Sequence, residues 1–397
     1  MDADRPGRTV GQRRTPEATR DAAEVWRLDV NALVASRSAS VSVDGPVKGD
    51  GLESSVQRRI LLEQALAALA VGAIPALDAV RESLAASLPA PTGSELDVDE
   101  WASVAQDYEH AYYTKAPADL ILNLAADLTD LQHDLDTATE PVRRELSRVA
   151  SLLAALMAMS LVNLGLLLVA RRWWRTARHA ADASSDPAIR VLVRSQDATH
   201  AIYEQRPLTL ALYRADDAIA VSGTSVYPGT AEAAGARAQV LALLGRADEA
   251  RDAIEQLKRT FDRLPAAATG TATILSGWPQ RRLWHTASYV HTRLGDLAEA
   301  ATAQEQALAA IPGTAPRSRA QVQLHAARRL VRAGHITDGT RHAQAVYTAL
   351  PTHQRTALVT RVAGQVLDAV PDNERSRPAV RELDELLISV GHPGIHP

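Results

Sequence analysis

Arg282, His285, Tyr289 and Arg293 recur at three- and four-residue spacing, which gathers them on one side of a helix. Gln321, His325 and Arg328 repeat the pattern further along, and Arg190 and Arg194 precede it. A guanidinium presents a fixed fork of N–H donors that suits a carboxylate or a phosphate, while imidazole, phenol and amide groups can both donate and accept. On one wall, these groups suit a peptide, a carboxylate or a phosphorylated small ligand. The candidate binding residues are therefore Arg190, Arg194, Arg282, His285, Tyr289, Arg293, Gln321 and His325. A solvated polar wall with no dedicated ligand is the plainer alternative for the same spacing.

Signatures of turnover are missing from the chain. It contains no HExxH, GxxxxGK[ST] or GxSxG motif and no EF-hand loop. Its 12 histidines are scattered without metal-ligand spacing. Asp216-Asp217 and Asp248-Glu249 fall at helix turns, where carboxylates serve as solvated or helix-start charges. No catalytic residue, metal or cofactor is expected. Arg171, Arg175 and Arg178 share one face beside Trp174. They are read as convex-surface arginines around a core tryptophan, with an anionic contact as the alternative.

Composition narrows the class. Among the 397 residues there is no cysteine, so disulfide frameworks, cysteine-zinc sites and thiol catalysis are excluded. That fits a cytoplasmic protein. A formal net charge of −4 with no concentrated basic face argues against a duplex-reading surface. Hydrophobic residues make up 46% but aromatics only 4%. A core of Leu, Ala and Val follows, and this bias favours helices.

Residues 1–52 are rich in Arg, Asp, Ser, Gly and Pro and read as a linker-like segment, with Thr19 to Ala35 its one candidate helix. Helical patterning runs over 53–390, and 391–397 is a tail. Ser54 to Val71 with Pro75 to Leu88, then Asp97 to Tyr113 with Pro117 to Leu135, form the first hairpins. Arg58-Arg59 and the apolar run after it echo a twin-arginine signal, but far inside the chain. Val149 to Ala170 lacks any charge and has the length of a membrane span. A break at Gly165 is expected to divide it into two helices, so no membrane partner is expected.

The break at Gly165 belongs to an internal repeat. Gly165, Gly245, Gly295 and Gly334 each have a small residue seven positions earlier: Ala158, Ala238, Ser288 and Ala327. Five positions later stand Ala170, Ala250, Ala300 and Gly339, and twelve later Ala177, Leu257, Ala307 and Val346. Pro312 and Pro351 lie seventeen after the last two, and Trp284 lies eleven before Gly295. Arg206, with Ala211 and Ala218, is a weaker fifth anchor. Two antiparallel helices approach closely only where side chains are small, and glycine lets the chain reverse between them. Spacings near 40 exceed the 34 of a tetratricopeptide repeat. The wider gap from 245 to 295 holds an Ala/Thr/Gly stretch, Pro265 to Gly277, read as an inserted loop. The expected fold is all-α, a tetratricopeptide-repeat-like superhelix of antiparallel helical pairs.

Several runs occur together: Val98-Asp99-Glu100-Trp101 with Tyr108 and Tyr112, Arg171 to Arg178, Gly277-Trp278-Pro279, and Ala320 to His325. Over roughly 54–390 the chain resembles the C-terminal regulatory region of actinobacterial helix-turn-helix transcriptional regulators of the XRE class. The resemblance implies a cytoplasmic, non-enzymatic module that senses a peptide or small ligand in its groove and acts in transcription. Residues 1–52 are too short and too polar for the family's DNA-binding domain, so direct DNA binding is not expected of them. A peptide or protein partner is implied, and a homodimer is compatible with the plan. A scaffold or adaptor with no transcriptional role is the alternative.

Overall fold

A computed structural model describes residues 95–270, 275 and 277–389, all within one compact unit, Leu88–Pro397. The candidate helices before residue 95, the polar segment 1–52 and the tail after 390 lie outside the described residues.

The described chain is all-helical. Its helices are α1 Glu95–Thr114, α2 Pro117–Thr137, α3 Glu140–Asn163, α4 Leu167–Ser184, α5 Pro187–Tyr203, α6 Leu208–Ser222, α7 Pro228–Leu243, α8 Ala247–Asp262, the short α9 Ala266–Gly270, α10 Gln280–Leu294, α11 Leu297–Ala310, α12 Pro316–Arg332, α13 Ile336–Ala349, α14 Ala357–Leu367 and α15 Pro378–Ser389. Local chemistry sets their starts. Pro117 and Pro187 occupy first turns, where the missing N–H costs nothing, and the Asp186 carboxylate accepts from the Ala188 and Ile189 amides.

Successive helices pack as hairpins: α3 on α4, α5 on α6, α7 on α8, α10 on α11 and α12 on α13. The turns between them use the left-handed region at Gly165, Gln205, Gly245, Gly295 and Gly334. Gln205, not Arg206, therefore carries the reversal in the α5–α6 turn. One extra residue separates it from the next helix, and Arg206 turns inward to an ion-pair cluster. The small residues placed by spacing are where the helices touch. Ala158, Ala170, Ala177, Ala238, Ala250, Ala300, Ala307 and Ala327 are all fully buried. A β-carbon on Gly339 would stand 2.6 Å from the Ala327 carbonyl oxygen, so α12 and α13 meet backbone to backbone. The expected inserted loop after Pro265 includes the short helix α9.

The first helices of the hairpins pack on one another in series. Helix α3 contacts α5, α5 contacts α7, α7 contacts α10, α10 contacts α12 and α12 contacts α14. Helix α14 then returns to α3. The inner layer is thus a closed circuit of six helices, and one apolar cluster unites the first and last of them. Among the described residues α3 alone is long and apolar enough to cross a membrane. However, 89% of its most apolar stretch is buried inside the protein. Protein neighbours account for its hydropathy, and it ends at Asn163 before the reversal at Gly165.

Candidate functional site

Inside the circuit lies a cavity of about 160 Å³. Four of the inner helices each lend it a stripe at helical spacing: Gln196, Thr199, His200 and Tyr203 from α5; Glu232, Gly235, Ala236 and Gln239 from α7; Arg281, Arg282, His285 and Thr286 from α10; Arg317, Ser318 and Gln321 from α12. Tyr112 and Tyr113 of α1, Asn163 of α3, Ile311 just after α11 and Leu358 of α14 complete the wall. A second cavity of about 700 Å³ adjoins it, sharing Asn163, Tyr203 and Leu358.

Glu232 is the most heavily engaged group of this wall. Its carboxylate accepts from Thr199 Oγ1 at 2.7 Å, Trp278 Nε1 at 2.8 Å and Arg282 at 2.6 Å. Burial pushes the Glu232 carboxyl up, but Arg282 and the hydrogen bonds from Thr199 and Trp278 outweigh it and hold the group below its usual value. It remains an anion at neutral pH.

The buried imidazoles are held neutral. Burial lowers His200 and His285, and it lowers His325 furthest, with His285 and Arg328 adding to the effect. His285 Nε2 meets Gln321 Oε1 at 3.0 Å, and His325 Nδ1 meets Ser288 Oγ at 3.0 Å. His325 stacks edge-on against both His285 and Tyr289. Arg328 is lowered to about 10, by burial first and then by Arg293.

Arg282, His285 and Gln321 thus come together on the cavity wall. Tyr289 and His325 are buried next to His285 rather than among the lining residues, and Arg293 lies within electrostatic reach of Tyr289 and Arg328. Arg190 and Arg194 go elsewhere. Both pair with Asp182 of α4, and Arg194 also pairs with Asp217 of α6. The reason is helical phase: Arg194 and Gln196 are two residues apart on α5 and point to different sides.

Spacing missed Gln196, Gln239, Glu232, Arg317 and the Tyr112-Tyr113 pair. Glu232 had a usable signal, a carboxylate in the alanine-rich α7 with Gln239 seven residues on, hence on the same face.

A separate buried charge cluster braces the wall from behind. Asp197 and Glu204, both fully buried, are bridged by Arg206 at 2.7 and 2.8 Å. Arg178 pairs with Asp197, and Arg214 stands 3.7 Å from it. Trp174 Nε1 donates to Glu204 at 2.9 Å, and Arg171 lies 3.4 Å from the same carboxylate. Trp174 packs in the core; Arg178, 15% exposed, turns inward, whereas Arg171, 41% exposed, stays at the surface beside Glu204. They neutralise carboxylates of α5 and its turn, while Arg175 stays exposed.

Fold and site together define an all-α protein of stacked helical hairpins around a partly open cavity of mixed polar and apolar lining. No protein-family model matches the chain, and no curated protein matches it.

Proposed function

We propose that this chain is a non-enzymatic regulatory binding module, a tetratricopeptide-repeat-like superhelix that takes a peptide or small ligand into its central cavity. Its output is transcriptional, passed to a partner protein or to a separate DNA-binding domain, and it works in the cytoplasm. One observation carries the binding reading. The cavity is lined by polar side chains from five of the six inner helices, and several buried polar atoms there have no partner in the protein. Leaving such groups unmatched costs stability, so their presence suits a visiting ligand. The transcriptional part rests on the family-like runs given above.

Hydrogen–deuterium exchange on the purified protein, with and without a small-molecule and peptide extract, tests the binding reading. Protection is expected in α5, α7, α10 and α12 together, because all four line the cavity. No added protection there with any extract overturns it. A gel shift with DNA upstream of the gene, plus neighbouring regulators, tests the output; no effect of this chain on any shift rejects it.

The scaffold reading has its own support. Leu164, Leu166 and Leu168 are 41%, 49% and 71% exposed around the α3–α4 turn. That is an apolar tip suited to a partner protein. Under that reading exchange protection by a partner falls on residues 164–168, leaving the cavity unchanged.

A further inference from the structure

We infer that the ligand of the central cavity is a small acylamino carboxylate, an amide whose neighbouring carbon carries a carboxylate. The inference rests on the reading of this cavity as a ligand site and assigns the ligand's chemistry.

The amide comes from Gln196 and Gln239. Both line the cavity, at 1% and 4% exposure, and neither residue's buried polar inventory closes. Oε1 and Nε2 of Gln196 both lack a protein partner, as does Oε1 of Gln239. A trans amide lying between the two side chains meets atoms on both: its carbonyl accepts from Gln196 Nε2, and its N–H, pointing the opposite way, donates to Gln239 Oε1.

The carboxylate comes from Arg317. This side chain is only 6% exposed; one nitrogen donates to the Tyr112 carbonyl, and Nη1 has no partner. No carboxylate among the described residues pairs with it. The other lining charges are accounted for differently. Arg282 is matched by Glu232, and Arg281 is hydrogen-bonded to Tyr113, which also feels buried Glu109. A carboxylate on the ligand fits the open edge of the planar Arg317 fork. A phosphate monoester would add a second charge and supply no amide. A free amino acid would bring an ammonium beside arginines, with Glu232 already taken.

Size agrees. A cavity of about 160 Å³ corresponds to roughly five waters at about 30 Å³ each, the space of a small organic molecule. An acetylated small amino acid fits that space. So does the last residue of a peptide, with the remainder in the adjoining cavity past Asn163 and Tyr203.

The experiment is isothermal titration of the full chain with N-acetylalanine. Its comparison compounds are N-acetylalanine amide, propionate and an acetylated tetrapeptide ending in alanine. The variants are Gln196→Met and Gln239→Met, which keep volume and remove the amide. N-acetylalanine is expected to bind, with affinity about tenfold weaker in each variant, the loss of one hydrogen bond to a buried partner. The amide-capped and amide-free compounds are expected not to bind. Both variants keep or raise the melting temperature of the unliganded protein, since each removes an unmatched buried group, which shows that they fold. Tetrapeptide binding tighter than N-acetylalanine names a peptide C-terminus as the source, and the reverse order names a free small molecule. No binding of N-acetylalanine, equal binding of propionate, or unchanged affinity in both variants overturns the inference. If another extract component still protects α5, α7, α10 and α12 from exchange, the cavity remains a ligand site and only its assigned chemistry fails.

Discussion

The Arg317 guanidinium lies over the Tyr112 ring, 5.0 Å from its centroid, and donates to the Tyr112 backbone carbonyl. Tyr112 stands in the last turn of α1, where carbonyls have no partner along the helix. An arginine 205 residues away in sequence therefore caps the first described helix and ties α12 to α1.

Removing that clasp should loosen the closure. Arg317→Ala is expected to cost about 2–3 kcal/mol, from a desolvated cation–π contact and a charged hydrogen bond to a carbonyl. Arg317→Lys should recover little, because an ammonium lacks the planar fork. Urea denaturation monitored by circular dichroism measures both, and exchange should rise first in α1 and α12. A wild-type midpoint for Arg317→Ala rejects the clasp.

Asp197→Asn should be among the most damaging single changes. Asp197 is fully buried and faces Arg178, Arg206 and Arg214. Neutralising it leaves buried guanidiniums uncompensated, at a cost of about 3–5 kcal/mol. Asp216→Asn, half-exposed opposite Arg237, should cost under about 1 kcal/mol. Comparable denaturation midpoints for the two variants would contradict this ordering.

Glycines separate into two kinds. At Gly339 a β-carbon collides with the Ala327 carbonyl oxygen and Val331, each at 2.6 Å, so Gly339→Ala should cost about 1–3 kcal/mol through forced separation of α12 and α13. At Gly245 nothing lies within 4 Å, but φ is +73°. There Gly245→Ala should cost about 1–2 kcal/mol while Gly245→Asn costs less, since Asn tolerates the left-handed region. Melting curves of the three variants test the distinction, and equal losses for Ala and Asn at 245 would remove it.

Stability should fall on acidification below about pH 6.5. His200, His285 and His325 are all depressed from their ordinary value of 6.5 by burial. The unfolded chain then binds protons before the folded one, so stability is full above pH 6.5 and declines as pH drops below it. His325, depressed furthest, should dominate. In calorimetry between pH 7.5 and 5, His325→Gln should flatten the dependence of melting temperature on pH. An unchanged slope in that variant would exclude this histidine as its source.

Parts of this architecture are written locally. Gly165, Gly245, Gly295 and Gly334 mark reversals because only the left-handed region turns the chain there. Ala170, Ala250 and Ala300 mark helix contacts because nothing larger fits. Arg282, His285 and Gln321 could be placed on one wall because helical phase is a short-range property. Phase alone misjudged Arg190 and Arg194, since a helix in a stack has two flanks and Asp182 and Asp217 lie on the other one.

The chain's order of residues thus determined helices, turns and contact points, each within a few residues of its cause. Closure was decided only in three dimensions. The return of α14 to α3, the Arg317–Tyr112 clasp and the meeting of Gln196, Gln239 and Glu232 around one cavity depend on small rotations summed over successive hairpins. No single segment encodes that sum, so the site exists only once the circuit is complete.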